Sequence, residues 1–424
     1  MKLTLPWVFI IVLTLFSFFL RLYRYTEPQH YYFDEVYHAV TAKAYADNNP
    51  AAYDPFAPPP KEGTAYEWLH PPLAKLIQAG SIKIFGDNSI GWRTPSLIFG
   101  TAIIPAVFIL AYLLFGPTTA IFAATVIAFE NLTFVMTRIT MNDVFITFFT
   151  ICAFIFSVLY LKKSSLKNLL LVSFFSGLAV SSKWTGLYAI GAFFLILVIF
   201  QLKVKKLSSN LLFLFIIPFV IYLLSYGQFW LQGHTVNDFI NLNKQIWWYQ
   251  NRHDLTHSYG TTPIYCVPNG LEASKTICPW ILDVRGVYFS YEDYGIGKAG
   301  YIYALGNPLI FWAGIVAISY LLGKYLDEKN HKFLIIILGY LIFWVPWIFT
   351  PRLLFLYHYL PSIPFLTVAI GIALSDIYKT KFKLAVFIIL ALFISMFFFM
   401  YPISSGFPIK ADDIDKFMLL KTWR

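Results

Sequence analysis

The chain has 424 residues, of which 58% are hydrophobic, 20% aromatic and only 13% charged, with a formal net charge of +10. A soluble domain carries about 25% charged residues, so this composition excludes an ordinary soluble globule and predicts an all-α polytopic membrane protein with one continuous body. The positive charge sits mostly in short Lys-rich links between apolar runs, where it sets orientation in a lipid bilayer, and no nucleic-acid partner is expected.

A bilayer core demands about 20 mostly apolar residues per helix. Eleven runs approach this in chain order: 5–22, 90–115, 118–135, 141–161, 166–182, 186–202, 209–230, 308–323, 333–350, 354–378 and 384–403. The first is long for a signal-peptide core and no small-residue cleavage site follows, so it reads as a retained span. Four links carry Lys162, Lys163 and Lys167; Lys203, Lys205 and Lys206; Lys324, Lys329 and Lys332 beside Asp327 and Glu328; and Lys379, Lys381 and Lys383. With eleven spans all four fall on one side, which the positive-inside rule makes cytoplasmic. Arg21 and Arg24 against Lys2 vote the other way and are outweighed.

Residues 23–89, residues 231–307 and the tail 404–424 then lie outside the cytoplasm, with the plasma membrane as the expected location. In the first outer segment, Asp34 to Tyr45 reads as a short helix and Trp68 to Phe85 as an amphipathic one, both lying along the membrane surface. Leu73, Leu76, Ile77, Ile82 and Ile84 give the second its apolar side, with Lys75 and Lys83 snorkelling. The Pro-rich "NPAAYDPFAPPP" between them cannot be helical.

Five groups carry chemistry. "YYFDEVYHA" (31–39) places Asp34 and Glu35 among aromatics; they are either first-turn acids of a helix or a desolvated general base or cation site. "EWLHPPLAK" (67–75) gathers Glu67, His70 and Lys75 at a helix start fixed by Pro71 and Pro72. "TRITMND" (137–143) sets Arg138 at membrane depth, where an Arg needs an anionic partner, either a ligand or Asp143 nearby. "PRLLFLYHYLP" (351–361) holds Arg352, His358 and Tyr359, and "SSKWTG" holds Lys183, either snorkelling or facing an anion. "WWYQNRHDLTHSY" (247–259) offers Trp247, Trp248 and Tyr249 for an interface or a sugar ring, with His257 and Tyr259 as further ligands. His253 and His257, four apart, would form a metal pair on a helix. A divalent metal stays open; no other cofactor is expected.

Acids, cations and aromatics at one outer face suit a reaction between a lipid-linked anionic donor and an extracytoplasmic acceptor. Two further cysteines, Cys266 and Cys278, flank the turn residues Pro268, Asn269 and Gly270 in the second outer segment. In an oxidising compartment they are expected to form a disulfide, which Cys152, inside a span, cannot reach.

The stretches "YYFDEVYHA", "EWLHPPLAKLI", "GDNSIGWRTPS", "MTRITMNDVFITFF", "GLAVSSKWTGL", "THSYGTTPIY", "ALGNPLIFW" and "FLYHYLP" run in order over nearly the whole chain. In these the sequence resembles the protein O-mannosyltransferases of bacterial or archaeal type. The resemblance implies the GT-C glycosyltransferase fold, with about eleven transmembrane helices and amphipathic juxtamembrane helices in the first outer loop. It implies inverting transfer of mannose from a polyprenyl phosphate to Ser or Thr hydroxyls of secreted or membrane proteins, with Asp34 as the catalytic acid residue, Glu35 as its partner and Arg138 as a functionally important arginine. Arg138 and Arg352, with Lys183 and His70, are expected to hold the donor phosphate. Glu67, Trp248, His257, Tyr259 and His358 are expected on the sugar and acceptor. Residues 231–307 are too few for the large lumenal domain of eukaryotic members. A glycolipid acceptor, as in the related aminoarabinose transferases, and an oligomeric state stay open. A transporter or flippase is the rival from another class, but neither internal repeat nor paired broken spans occur, and its polar residues gather at one face. A non-catalytic partner of another transferase is a third.

Overall fold

The computed structural model describes residues 4–201, 209–255, 257, 259–262, 267–268, 276–277 and 279–424. α1 (Leu5–Leu22) leads to the first predicted outer segment, which holds α2 (Glu35–Ala46) and α3 (Leu73–Phe85). α4 (Ser89–Phe115), α5 (Pro117–Ala128), α6 (Asn131–Met136), α7 (Asp143–Lys162), α8 (Leu166–Ser182), α9 (Leu187–Gln201) and α10 (Phe213–Ser225) follow, then the short α11 (Gly227–Leu231) and α12 (Val236–Gln250). After the second outer segment come α13 (Pro308–Glu328), α14 (His331–Ile342), α15 (Ile363–Tyr378) and α16 (Lys383–Ser405). Among the described residues, 7 spans are long and apolar enough to cross a membrane, and shorter apolar helices occupy the remaining predicted runs. The chain is an integral, multi-pass membrane protein.

The run 118–135 is not one helix. It breaks at Phe129, where buried Glu130 caps α6 by accepting from Leu132 N at 2.9 Å and Thr133 N at 2.6 Å, and also takes Asn307 N at 3.2 Å. A carboxylate at membrane depth is tolerable when donors surround it. Past this break α4 runs very close to Thr137: a Cβ on Gly100 would fall 2.0 Å from its side chain, so only glycine fits.

The runs 333–350 and 354–378 also depart from simple helices. α14 stops at Ile342, and the chain continues through 3₁₀ turns at Val345–Phe349 and Leu356–Ser362 before α15. Pro346, Pro351 and Pro361 interrupt the backbone ladder. In a membrane protein such backbone occurs where it faces protein or a cavity rather than lipid.

The amphipathic helix begins at Leu73, not Trp68, because Pro72 takes the capping position. Lys75 does not snorkel. It is fully buried, and its ammonium bonds Glu67 through both the side chain and the carbonyl.

The segment between α12 and α13 adds small antiparallel pairings that apolar runs do not reveal. A two-residue pairing joins β1 (Val267–Pro268) to β2 (Thr276–Ile277). A hairpin pairs β3 (Val287–Gly295) with β4 (Lys298–Ala304), and β5 (Ile409–Lys410) adds to β4. The tail docks beside it: buried Trp423 donates from its indole to Asp283 O at 2.6 Å. Cys266 and Cys278 lie outside the described residues.

The first outer segment is pinned to α4 by one ion pair. Arg93 Nε donates to Glu35 Oε1 at 2.8 Å and its Nη2 to Oε2 at 2.7 Å. The same guanidinium donates to Pro28 O, His30 O and Tyr25 O. Neither side chain is exposed. Glu35 Oε1 also accepts Thr140 N at 3.0 Å, which ties in the start of α7.

The Lys-rich ends gather at the opposite end of the bundle. Lys162 bonds Leu113 O near the end of α4, Phe115 stacks on Phe333 at the start of α14, and Lys324 of α13 pairs with Asp376 of α15 at 2.8 Å. Lys203, Lys205 and Lys206 lie outside the described residues.

Removing one partner of a buried, hydrogen-bonded ion pair costs about 3–5 kcal/mol. Arg93→Ala is therefore expected to lower the thermal unfolding midpoint of the purified protein markedly, and Arg93→Lys to recover little, because a lysine cannot reproduce the fork. A midpoint equal to wild type in both variants would remove Glu35–Arg93 as the anchor.

Candidate active site

Phe33 sits at φ 49°, a left-handed conformation unusual for a bulky residue. Aromatic packing holds it there: its ring stacks on Phe289 of β3 at 4.2 Å and meets Phe355 and Tyr357 edge-on. The next residue, Asp34, stands at the N-terminus of α2. The Tyr357 hydroxyl donates to its Oδ2 at 3.3 Å. Burial pushes the Asp34 carboxyl up to about 7; the Tyr357 bond pulls the other way, Asp143 and Glu67 add to the rise, and Lys183 opposes it.

Asp34 lines a cavity of about 340 Å³ together with His38, Glu67, His70, Asp143, Lys183, Arg352, Tyr357 and His358. Lys183 is buried and pairs with Asp143 at 2.8 Å, so neither the snorkelling lysine nor the local Arg138–Asp143 pair occurs. Arg352 bonds Gln250 and lies over the Tyr249 ring at 5.6 Å. Burial and the nearby Lys183 and Lys75 hold His70 well below the ordinary imidazole range, so at neutral pH it is a hydrogen-bonding group rather than a cation. A second chamber of about 300 Å³, walled by Trp184, Leu187, Tyr188, Trp247, Trp347 and Phe349, shares His70, Lys183 and Arg352 with the first.

The cavity thus collects Asp34, Glu67, His70, Lys183, Arg352 and His358 from the sequence-based set. His358 is buried between Trp347 and Tyr357, its Nδ1 3.0 Å from Phe355 O. The other candidates lie elsewhere. Glu35 is consumed by Arg93, so it positions its neighbour and does not face the cavity. Arg138 donates from Nη2 to Tyr23 O and Arg24 O and lies over Phe134, tying the end of α1 to the turn before α7, and it does not line the cavity. Trp248 is exposed under Arg252. His257 packs its ring on Phe355, behind the wall, and Tyr259 stacks on Tyr288. α12 ends at Gln250, so His253 and His257 share no helix that would set them side by side. Among the described residues, no cluster of three His, Cys, Asp or Glu side chains is placed to hold a metal.

Two cavity residues escape a reading by motif. His38 stands four residues after Asp34, a spacing that puts both on one helix face, and Asp143 requires the fold to meet Lys183.

Residues 11–252 match the family described as dolichyl-phosphate-mannose-protein mannosyltransferase, and residues 235–423 match the C-terminal four-transmembrane region of protein O-mannosyltransferase. A polyprenol-phosphate-mannose–protein mannosyltransferase of Mycolicibacterium smegmatis is 22% identical over 84% of this chain and 82% of its own length. A protein of the same description from Corynebacterium glutamicum is 24% identical over 84% of this chain and 81% of its own. The fold resembles the S. cerevisiae protein O-mannosyltransferase Pmt1-Pmt2 complex bound to the sugar donor, with a TM-score of 0.74 at 16% identity over 100% of this chain and 93% of that one. It also resembles ArnT from Cupriavidus metallidurans bound to undecaprenyl phosphate, with a TM-score of 0.59 at 16% identity over 91% and 62% of the two chains. These likenesses establish the GT-C fold. With the two family matches together spanning the segments that build the Asp34 cavity, and the first covering more than half of the chain, the chain belongs to the dolichyl-phosphate-mannose-protein mannosyltransferase family.

Proposed function

We propose that the chain transfers mannose, with inversion, from a polyprenyl-phosphate donor to Ser or Thr hydroxyls of secreted or membrane proteins. One observation carries this reading: a polar cavity with a poised carboxylate meets an apolar aromatic chamber across a wall of His70, Lys183 and Arg352. The isoprenoid end of the donor fits the apolar chamber, its phosphate the cations, and its sugar the Asp34 side.

In the reaction, the acceptor oxygen bonds the anomeric carbon while its proton passes to Asp34. The carbon–oxygen bond to the phosphate breaks, and the electron pair leaves on the phosphate. An alcohol needs such a base because its oxygen is a weak nucleophile while protonated. The phosphate needs only neutralisation, which Lys183 and Arg352 supply as charges and His70 as a hydrogen-bond donor. Lys-rich helix ends at the far end of the bundle support an extracytoplasmic active site in the plasma membrane.

Asp34→Asn keeps the shape and removes the base, so transfer should fall at least ~100-fold. The base works only when ionised, so wild-type kcat/KM should rise about tenfold per pH unit up to about 7 and level off above. The folded pKa is raised from 3.8, so ionised Asp34 costs stability increasingly as pH climbs to about 7. Asp34→Asn is therefore expected to unfold no lower than wild type at pH 8. Near-full transfer by a folded Asp34→Asn enzyme would reject the assignment.

Arg352→Ala should weaken donor binding about 10- to 100-fold, the scale of a charge-assisted hydrogen bond, and Arg352→Lys should recover part of it. Arg138→Ala should change thermal stability more than donor affinity. Titration of purified variants with polyprenyl-phosphate mannose separates the two; unchanged affinity in Arg352→Ala would count against the phosphate wall.

The same orientation puts Cys266 and Cys278 outside the cytoplasm. Backbone pairing of Val267 with Ile277, the residue after the first cysteine and the residue before the second, supports a bridge between them. Closing so short a loop stabilises by roughly 2–3 kcal/mol in the chain-entropy view. Mass spectrometry of non-reduced peptides from native membranes should find them linked; free, alkylatable thiols would end the proposal.

A further inference from the structure

Glu67 is one of the most firmly held residues in the cavity wall. Its backbone N–H donates to Thr41 Oγ1 at 2.7 Å, its carbonyl accepts from Lys75 Nζ at 2.6 Å, and Lys75 also bonds its carboxylate. Yet Glu67 Oε1 is buried without a hydrogen-bond partner among the described residues, and so is His38 Nδ1. Both side chains are more than nine-tenths buried, and both line the Asp34 cavity. His38 Nδ1 stands 3.7 Å from Glu67 Oε2, too far for a direct hydrogen bond. Buried polar atoms left this way are expensive unless something bonds them.

The charge state narrows what that something is. Burial, with Lys75 and Lys183 nearby, holds His38 well below the ordinary imidazole range. A neutral imidazole has one donor and one acceptor nitrogen. The carboxylate of Glu67 accepts only, and Lys75 already balances its charge. The corner therefore rejects a further anion and suits a neutral group that both donates and accepts. A hydroxyl does this, donating a hydrogen bond to Glu67 and accepting one from the imidazole N–H.

Position narrows it further. His38 is one helical turn beyond Asp34, about 6 Å along the axis, on the face that shares the cavity. The reacting carbon of the donor must lie near Asp34. A ring hydroxyl of the same hexose reaches one turn on. The groups proposed for the phosphate, Lys183, Arg352 and His70, line the same cavity, and the His70 ring lies parallel to that of His38 at 6.4 Å, the span of a sugar between the phosphate and the corner.

We infer that His38 and Glu67 together bind one ring hydroxyl of the transferred hexose and so determine which sugar the enzyme accepts. This rests on the reading of the site as a polyprenyl-phosphate sugar transferase. His38 is a specificity-determining residue here, and Lys75 positions Glu67.

The test uses the full chain, purified in detergent, with a Ser/Thr peptide and five donors: polyprenyl-phosphate mannose and its 2-, 3-, 4- and 6-deoxy analogues. A site built around a hydroxyl rejects the analogue lacking it. Wild type should lose about 10- to 100-fold in kcat/KM on one analogue above the others. His38→Ala should lose a similar factor on mannose and nothing further on that analogue, with unfolding temperature near wild type. His38→Asn, which keeps a donor and an acceptor close to Nδ1, should restore part of the discrimination. Equal use of all four analogues by wild type would overturn the corner while leaving the transferase reading intact. So would a His38→Ala penalty that is the same for mannose and every analogue. Wild type that transfers from none of the mannose donors would overturn the transferase reading, and the corner with it.

Discussion

The Glu35–Arg93 pair is the constraint on which the site depends. Its members are 58 residues apart in sequence and fully buried. Two charges removed from water at such cost persist only with good geometry and further hydrogen bonds. Arg93 meets that condition with a forked contact to the carboxylate and three backbone carbonyls of the first outer segment. The carboxylate in turn holds Thr140 N, three residues before Asp143. One ion pair thereby fixes both the loop that carries Asp34 and the helix start that carries Asp143, the partner of Lys183.

That arrangement explains how two adjacent acids acquire different chemistry. Glu35 faces a guanidinium and stays committed to it. Asp34 faces a tyrosine hydroxyl, two other acids and a lysine already paired, in a buried setting, and its carboxyl is pushed up to about 7. Environments that drive neighbouring carboxylates apart are how one fold assigns a structural and a chemical role to the same group. The left-handed Phe33 backbone turns the chain just before Asp34 and Glu35, which then point to different partners.

Much of this was legible in the sequence, for identifiable reasons. The apolar runs recur as helices because bilayer thickness fixes their length. Asp34, Glu67 and His70 could be named because acids and an imidazole gather with aromatics and prolines at helix starts, and Lys183, Arg352 and His358 because ionisable groups are rare in or beside apolar runs. The rest depends on distance in space. Arg93 reads as an ordinary residue of a helix start until Glu35 meets it. Arg138 reads as a phosphate ligand because a buried arginine needs acceptors, and in the fold the backbone carbonyls of residues 23 and 24 accept from its Nη2. Trp248 and His257 share a motif with Tyr249, which does line the cavity, but Trp248 lies on another face of α12 and His257 lies beyond its end. The break at Glu130 hides because a single acid does not interrupt an apolar average, whereas the donors at Leu132, Thr133 and Asn307 appear only in the fold.

The irregular stretch between α14 and α15 shows why the cavity lies where it does. A continuous helix there would satisfy its own backbone and present only side chains. Interrupted by Pro346, Pro351 and Pro361, the stretch places Arg352, Phe355, Tyr357 and His358 on one wall, within reach of Asp34 from α2 and Lys183 from the end of α8. Trp347 and Phe349 of the same stretch wall the apolar chamber. A single non-helical segment thus contributes to the polar side, to the cationic boundary and to the apolar side. Moving Arg352 relative to the cavity would require moving the aromatic wall with it. The spacing between the aromatic chamber and the Asp34 carboxylate is therefore held by backbone geometry rather than by long, mobile side chains, the kind of preorganisation on which electrostatic catalysis rests.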